Sequence, residues 1–278
     1  MSEVRSDTHY ALRRTMPMES RVEATAERLM TLRAAVQKIS ALEDHLVPGS
    51  IAEAYAVQDE IIGRHTRTIA AWKVGASAEA VQEKLGVKEP FSGAIFEGTV
   101  FASPASVLAA NFTHTLIESE FAFRVGREIT PRPDQPYTRD ELGALFDAVV
   151  PAIEIIAPVF EPAIGGEING RIADLGVSAG LVHGQPTQDW RDRDLARHAV
   201  TLRVGDDVVG EGTGALVLGD PVNSLLWAVN HLGNRNRTLM PGQLITTGTT
   251  TGVYELGTGR QAVADFGDLG TVSLTFDV

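Results

Sequence analysis

From Gly93 to the C-terminus, short β-like runs follow one another between glycines and prolines, and few of the intervening segments are long enough to be crossover helices. A doubly wound parallel sheet needs such helices between its strands. This texture therefore predicts an α+β chain whose mixed sheet rolls or closes into a barrel-like form. The first ~65 residues read differently, as helix. Ser20 and Glu23 form an S-x-x-E capping box, and Val22, Ala26, Leu29, Val36 and Ile39 recur at helical spacing, which predicts a helix over about residues 21–40. After the Pro48-Gly49 turn, Ser50 and Glu53 repeat the box ahead of a second amphipathic run. TIAAWKVG (68–75) reads as a strand ending in glycine, Ser77 as the cap of a short helix, and THTLIESEFAFRVG (113–126) as the best strand. Thr138 and Glu141 open a helix, RDELGALFDAVV, that Pro151 ends, and AIEIIAPVF reads as a buried strand. In the last third the pattern predicts a hairpin turning at Gly205-Asp206, a helix bounded by Asp220, Pro221 and Gly233, and three strands in QLITTG, RQAVADFG and GTVSLTF. The expected division is a tail over residues 1–19, a helical region over 20–66 and a β-rich domain over 67–278.

With 278 residues, 44% hydrophobic and 22% charged, the chain can bury a sizeable core in one large domain or two small ones. Its net charge of -12 disfavours a nucleic-acid backbone or an anionic membrane as the main partner. A small anion is still accessible, because a bound metal reverses the local field. The lack of cysteine removes disulfides, zinc–thiolate sites and thiol nucleophiles, and fits a reducing, cytoplasmic setting. No run of about 18 uncharged apolar residues is present, so no membrane span is expected. The N-terminal MSEVRSDTHYALRRTMPMES lacks an apolar h-region and reads as a loose tail, not a secretory signal.

Glu118-Ser119-Glu120 is the sharpest local anomaly, two carboxylates in an otherwise apolar strand. Side chains two apart share a strand face, so these two stand together, about 7 Å apart along the strand. Glu154 interrupts AIEIIAPVF in the same way. Three converging acidic oxygens suit a hard cation such as Mg²⁺ or Mn²⁺. The spacing fits equally an edge strand with both glutamates in water, or a Glu154 paired with a buried arginine. His114 falls on the same face as the pair but roughly 13 Å from Glu118, so it reads as structural or surface, not as a ligand. Lys73 closes the apolar run IAAWKVG, either snorkelling at a strand end or partly desolvated, and the second state would suit acid–base work. GEGTGALVLGD and TTGTTTG match neither phosphate-loop pattern and read as turns or as a backbone wall beside a small ligand. No G-x-S-x-G elbow occurs.

WKVG (72–75), IESEFAF (117–123), VVPAIEII (149–156), ADLGVSAG (173–180), GTGALVLGDPVNSLLWAVNHLG (212–233) and MPGQLITTGTTTGVYEL (240–256) follow in an order that resembles the 2-oxopent-4-enoate hydratase and 4-oxalocrotonate decarboxylase group of the fumarylacetoacetate hydrolase superfamily. The resemblance runs from about residue 50 to the C-terminus. It implies a mixed β-roll core like the C-terminal domain of fumarylacetoacetase, with a small helical N-terminal region. It implies Mg²⁺ or Mn²⁺ held by Glu118, Glu120 and Glu154, Lys73 as a catalytic residue in a K-[VI]-G motif, and Ser178, Gly180, Thr249 and Thr250 lining the substrate pocket. Two positions depart from the family pattern. Leu116 stands where related hydratases carry arginine, beside the substrate, and Glu97 of GAIFEG stands one position before the usual aspartate and is the candidate for its catalytic role.

The resemblance further implies a homo-oligomer, with a paralogous subunit as a possible partner, acting on a small 2-oxo acid. The leading expectation is a lyase that adds water to a 2-hydroxy-dienoate or 2-oxo-enoate. Alternatives are a decarboxylase of a related oxo-diacid, an acylpyruvate-type C–C hydrolase, for which His65 is the only nearby histidine, and a non-catalytic partner subunit. The loops 131–139 and 160–171 are expected to set the substrate, the second as a glycine-rich lid.

Overall fold

A computed structural model describes residues 17–164 and 167–278, so the expected tail lies almost wholly outside the described residues. Six α-helices occur among them: α1 Met18–Ala34, α2 Ile51–Arg64, α3 Glu79–Leu85, α4 Arg139–Leu145, α5 Ile168–Ala173 and α6 Pro221–Asn234. The strands are β1 Ile69–Gly75, β2 Phe91–Phe96, β3 Val100–Ala102, β4 Ala105–Leu108, β5 Leu116–Val125, β6 Phe146–Ile156, β7 Ser178–His183, β8 Ala199–Val204, β9 Asp207–Thr213, β10 Leu244–Thr249, β11 Tyr254–Glu255, β12 Gln261–Asp265 and β13 Thr271–Asp277.

The large sheet runs β2-β1-β10-β5-β6-β7-β3, with β11 added to β5, and the small one runs β4-β13-β12-β8-β9. Both are mixed. β1 with β10, β3 with β7 and β4 with β13 are parallel pairs, and the others are antiparallel. Alternation gives the large sheet two apolar faces. One carries Trp72, Ile117, Phe121, Phe123, Ile153 and Ile155, and shares a core with Leu202, Val272, Leu274 and Phe276 of the small sheet and with Leu29, Leu32 and Ile61 of the N-terminal helices. The other mixes Ile95, Leu181 and Leu244 with small residues, among them Ala71, Ala122, Ala148 and Ala152, which are fully buried. The sheet curls so that β2 meets β7, enclosing this second face. Fold class and mixed topology are as the sequence predicts.

Several local boundaries are not. Ser20 does not cap α1, which starts behind Pro17 with no side-chain cap. Nor does α1 reach residue 40. Val36 turns left-handed (φ 51), the Gln37 N–H donates to Leu32 O and the Val36 N–H to Arg33 O, closing the helix as glycine usually does. Ile39 instead bridges to Phe160. Ser50 does cap α2, accepting from the Glu53 N–H. Ser77 caps nothing, because α3 begins at Glu79 behind Ala78. The Thr138–Glu141 capping box forms, but its helix ends at Leu145 and FDAVVPAIEII is one strand. Pro151 is tolerated inside that strand because its carbonyl accepts from Gly184, just past the end of β7, so its missing N–H falls where that ladder stops. Asp220 caps α6 with Pro221 at its first turn, and Gly233 lies inside the last turn instead of after it.

Candidate active site

The antiparallel register of β5 and β6 sets Glu118 directly opposite Glu154, and Glu120 shares their face two residues along. One oxygen of each carboxyl lies within 4.8 Å of the others. β5 is flanked by β10 and β6, so the edge-strand alternative falls. Glu120 and Glu154 are wholly buried, and Glu118 is 9% exposed.

Lys73 reaches the trio from β1, its Nζ 3.5 Å from Glu154 Oε1 and 5.4 Å from the centre of the Phe91 ring. Of the two readings of this lysine, the desolvated one holds, since the residue is 2% exposed. Its stem runs under a tight turn formed by Leu175–Val177. A Cβ on Gly176 would lie 3.3 Å from Lys73 Cδ, and one on Gly93 would lie 1.9 Å from the Leu175 carbonyl oxygen. Glycine at residue 93 thus allows the turn to sit directly on the sheet. All three turn residues are left-handed, with φ of 54, 64 and 65. For Leu175 and the β-branched Val177 this costs on the order of 1–3 kcal/mol each, so neighbouring contacts must hold it.

If all three carboxyls ionise against one ammonium, a buried region carries two excess negative charges. Burial therefore pushes the Glu118 carboxyl up to about 7, with Lys73 pulling it back and Glu154 adding to the rise. Burial, then Glu154 and Glu118, push Glu120 well above the usual carboxylate range. Burial works against the charged form of Lys73, yet the attraction of Glu154, Glu118 and Glu120 outweighs it and holds that pKa above its ordinary value. The Gly248 N–H, from TTGTTTG, donates to Glu120 Oε2 at 2.6 Å, so this segment serves as a backbone wall to the trio. Glu120 Oε1 and both Glu154 oxygens are buried without a hydrogen-bond partner. Orphaned buried carboxylate oxygens are costly, and a hard divalent cation resolves both the charge and the empty acceptors. The donor set fits such an ion, and the trio can hold a metal.

The other expected site residues fall into two groups. Thr249 pairs with Glu120 across β10 and β5, and Ser178 opens β7 opposite Ile156. Both hydroxyls are buried and unpartnered. Leu116 is buried on the trio's face, two residues before Glu118 and opposite Ile156. Gly180 does not join them: it pairs with Ile155, whose side chain packs in the core on the opposite face, and a Cβ there would stand 2.9 Å from the Thr99 carbonyl oxygen. Thr250 donates its hydroxyl to the Ser119 carbonyl at 2.8 Å, a backbone role. Glu97 lies exposed in the turn after β2 and is not among the converging carboxyls. His114 contacts the Phe160 carbonyl, and His65 stacks on Phe96 while its Nδ1 accepts from the Arg67 N–H.

Sequence reasoning missed Gly93, Gly176, Phe91 and Thr246, whose buried, unpartnered hydroxyl shares the trio's face through its register with Ala122. The glycine inside FSGAIF was a usable signal, since glycine within a strand marks a close backbone approach.

No family model matches the chain. It is 29% identical over 258 residues to 2-keto-4-pentenoate hydratase 1 of Dechloromonas aromatica (strain RCB), covering 91% of this chain and 96% of that one. It is 26% identical over 271 residues to 4-oxalocrotonate decarboxylase of Pseudomonas putida, covering 95% and 100%. The solved 4-oxalocrotonate decarboxylase from Pseudomonas putida G7, complexed with magnesium and adipate, matches with a TM-score of 0.85 at 25% identity, covering 94% of this chain and 99% of that chain. A fumarylpyruvate hydrolase from Pseudomonas aeruginosa shares the fold at a TM-score of 0.58 and 15% identity, over 78% of this chain and 94% of that one. By sequence and by fold, the chain is similar to 2-keto-4-pentenoate hydratases and to 4-oxalocrotonate decarboxylase.

Proposed function

We propose that this chain is a Mg²⁺- or Mn²⁺-dependent hydratase that adds water to a small 2-hydroxy-dienoate, through its 2-oxo-enoate form, to give a 4-hydroxy-2-oxo acid. The observation that carries the reading is the buried carboxylate trio with Lys73 as its only cation among the described residues. Glu118, Glu120 and Glu154 would hold the ion, which when bound supplies Lewis-acid polarisation of the substrate's 2-oxo group and carboxylate.

The chain's own residues account for the rest. Lys73 holds a proton at Nζ beside Glu154 and is the group placed to move it to or from the substrate carbon. Protonation of the dienol at carbon gives the conjugated 2-oxo acid, and water then adds across its activated double bond. The free hydroxyls of Ser178 and Thr249 orient substrate oxygens or the incoming water, while Leu116 and Ile156 form an apolar wall for the hydrocarbon portion and limit competing water.

Decarboxylation of a related oxo-diacid stands second, favoured by the TM-score of 0.85 to the decarboxylase from Pseudomonas putida G7. A catalytic role is favoured over that of a silent partner subunit by the intact trio and Lys73. We place the enzyme in the cytoplasm, as a homo-oligomer, on its lack of cysteine and the family it resembles. Among the described residues, no helix is long and apolar enough to cross a membrane.

The test is a proton-NMR time course of the purified protein, with and without Mg²⁺, on 2-hydroxypenta-2,4-dienoate and on 2-oxohex-3-enedioate. Mg²⁺-dependent formation of a 4-hydroxy-2-oxo acid supports the hydratase. Loss of CO₂ from the diacid alone moves the assignment to decarboxylase, and no change in either substrate refutes both.

A further inference from the structure

We propose that Arg33, on the N-terminal helix α1, is a positioning residue for the active site. It holds the left-handed turn 175–177 down on Lys73, a role that rests on the reading above only for its effect on turnover. All three ends of its guanidinium are committed to the two flanks of that turn. Nε donates to Asp174 Oδ1 at 2.5 Å, Nη2 to the Asp174 carbonyl at 2.8 Å, and Nη1 to the Ser178 carbonyl at 2.9 Å. Asp174 is fully buried, and its second oxygen accepts from the Val159 N–H at 3.0 Å. The clamp therefore ties α1, the end of α5, the start of β7 and the segment after β6 into one unit.

Between the clamped residues lie Leu175, Gly176 and Val177, which sit directly over Gly93 and the Lys73 stem, and of these Leu175 and Val177 favour other backbone conformations. Releasing the clamp lets the turn relax away from the sheet. The Lys73 stem then loses its roof, and the free hydroxyl of Ser178 loses the backbone that aims it. A second N-terminal side chain works beside it. Gln58 of α2 is fully buried, and its Nε2 donates to Ile172 O at 2.8 Å and Ser92 O at 3.0 Å, tying α5 to the strand that carries Gly93. The helical N-terminal region thus acts on the site through backbone geometry, while none of its residues belongs to the acidic trio.

The experiment compares wild type, Arg33→Lys and Arg33→Met by steady-state kinetics, Mg²⁺ titration calorimetry and amide hydrogen exchange. For Arg33→Met the expected result is a kcat lower by about 10- to 100-fold, with KM and Mg²⁺ affinity within about 3-fold. Exchange at residues 174–178 should be faster by roughly 10-fold or more, while the sheet stays protected. Arg33→Lys keeps the charge but not the fork, so it should fall between the two. Unchanged kcat and unchanged exchange at 174–178 overturn the proposal. So does exchange accelerated equally across α1 and the sheet, which would make Arg33 merely structural. If wild type turns over no 2-oxo acid, the functional reading fails separately, and the exchange comparison alone decides whether Arg33 holds the turn.

Discussion

Replacing Glu120 by glutamine should stabilise the metal-free protein, although it removes a residue assigned to metal binding. Carboxyl oxygens within 4.8 Å of one another repel by about 3.5 kcal/mol per ionised pair at an effective dielectric constant of ~20. Glu120 faces two such neighbours, and its attraction to Lys73 is the weakest influence on it. Taking up a proton at pH 7 on a carboxyl whose ordinary pKa is 4.5 would cost about 3.4 kcal/mol, comparable to the repulsion from one charged neighbour, so the metal-free protein bears a penalty of that order at Glu120 whether the carboxyl is ionised or protonated. Glutamine removes this penalty, and its carbonyl still accepts from Gly248. The expected gain is about 2–3 kcal/mol, or roughly 3–5 °C in Tm for a chain of 278 residues. The sign with pH follows. A carboxyl with a raised folded-state pKa loses stability as pH rises above its unfolded value, so the advantage of Glu120→Gln should shrink toward pH 5 and grow toward pH 7. Mg²⁺ at 1,000 times the wild-type Kd would stabilise wild type by about 4 kcal/mol and a variant that binds tenfold more weakly by about 2.7 kcal/mol, so the ion narrows the variant's lead by about 1.4 kcal/mol or more. Thermal melts in chelator at pH 5 and pH 7, and with Mg²⁺, read all three effects. A variant that melts below wild type in chelator at pH 7 would refute the charge-crowding argument.

Lys73→Met should lower kcat by about 100-fold or more while leaving Mg²⁺ affinity equal or tighter, because it removes a cation 3.5 Å from Glu154. A tenfold weaker affinity in calorimetry would mean that Lys73 props up the metal site instead. Gly93→Ala places a Cβ 1.9 Å from the Leu175 carbonyl oxygen, so denaturant titration should show a loss of about 2–4 kcal/mol, with turnover falling as the turn is displaced. His231, stacked on Trp227, has its pKa pushed down to about 4 by burial and then by Arg235, with Asp59 opposing. The unfolded chain therefore binds this proton first, and stability should fall with a slope of up to about 1.4 kcal/mol per pH unit between pH 6.5 and 4. His231→Gln should flatten that segment of the pH–stability curve.

The convergence of Glu118, Glu120 and Glu154 was legible because strand alternation puts E-x-E on one face, and an isolated acid in a buried run stands out. Their direct opposition was not, because register is a long-range property that only the packed sheet sets. The misread helix at 139–150 has a related cause. Its cap is real, but FDAVV is rich in residues that suit a central strand, and packing between β5 and β7 decides the outcome. The roof over Lys73 was the least legible part. Neither Leu175 nor Val177 signals a left-handed backbone, and Arg33 lies more than 140 positions from the residues it holds.

A titration of Mn²⁺ into wild type, Glu120→Gln and Glu154→Gln, followed by free-ion electron paramagnetic resonance with turnover measured on the same samples, tests most directly whether the trio holds the catalytic ion. Wild type should bind one ion per chain and gain activity in proportion, while both variants stay folded, bind at least about tenfold more weakly and stay inactive. Full Mn²⁺-dependent turnover by Glu154→Gln, or turnover by wild type with no ion bound, would contradict the account.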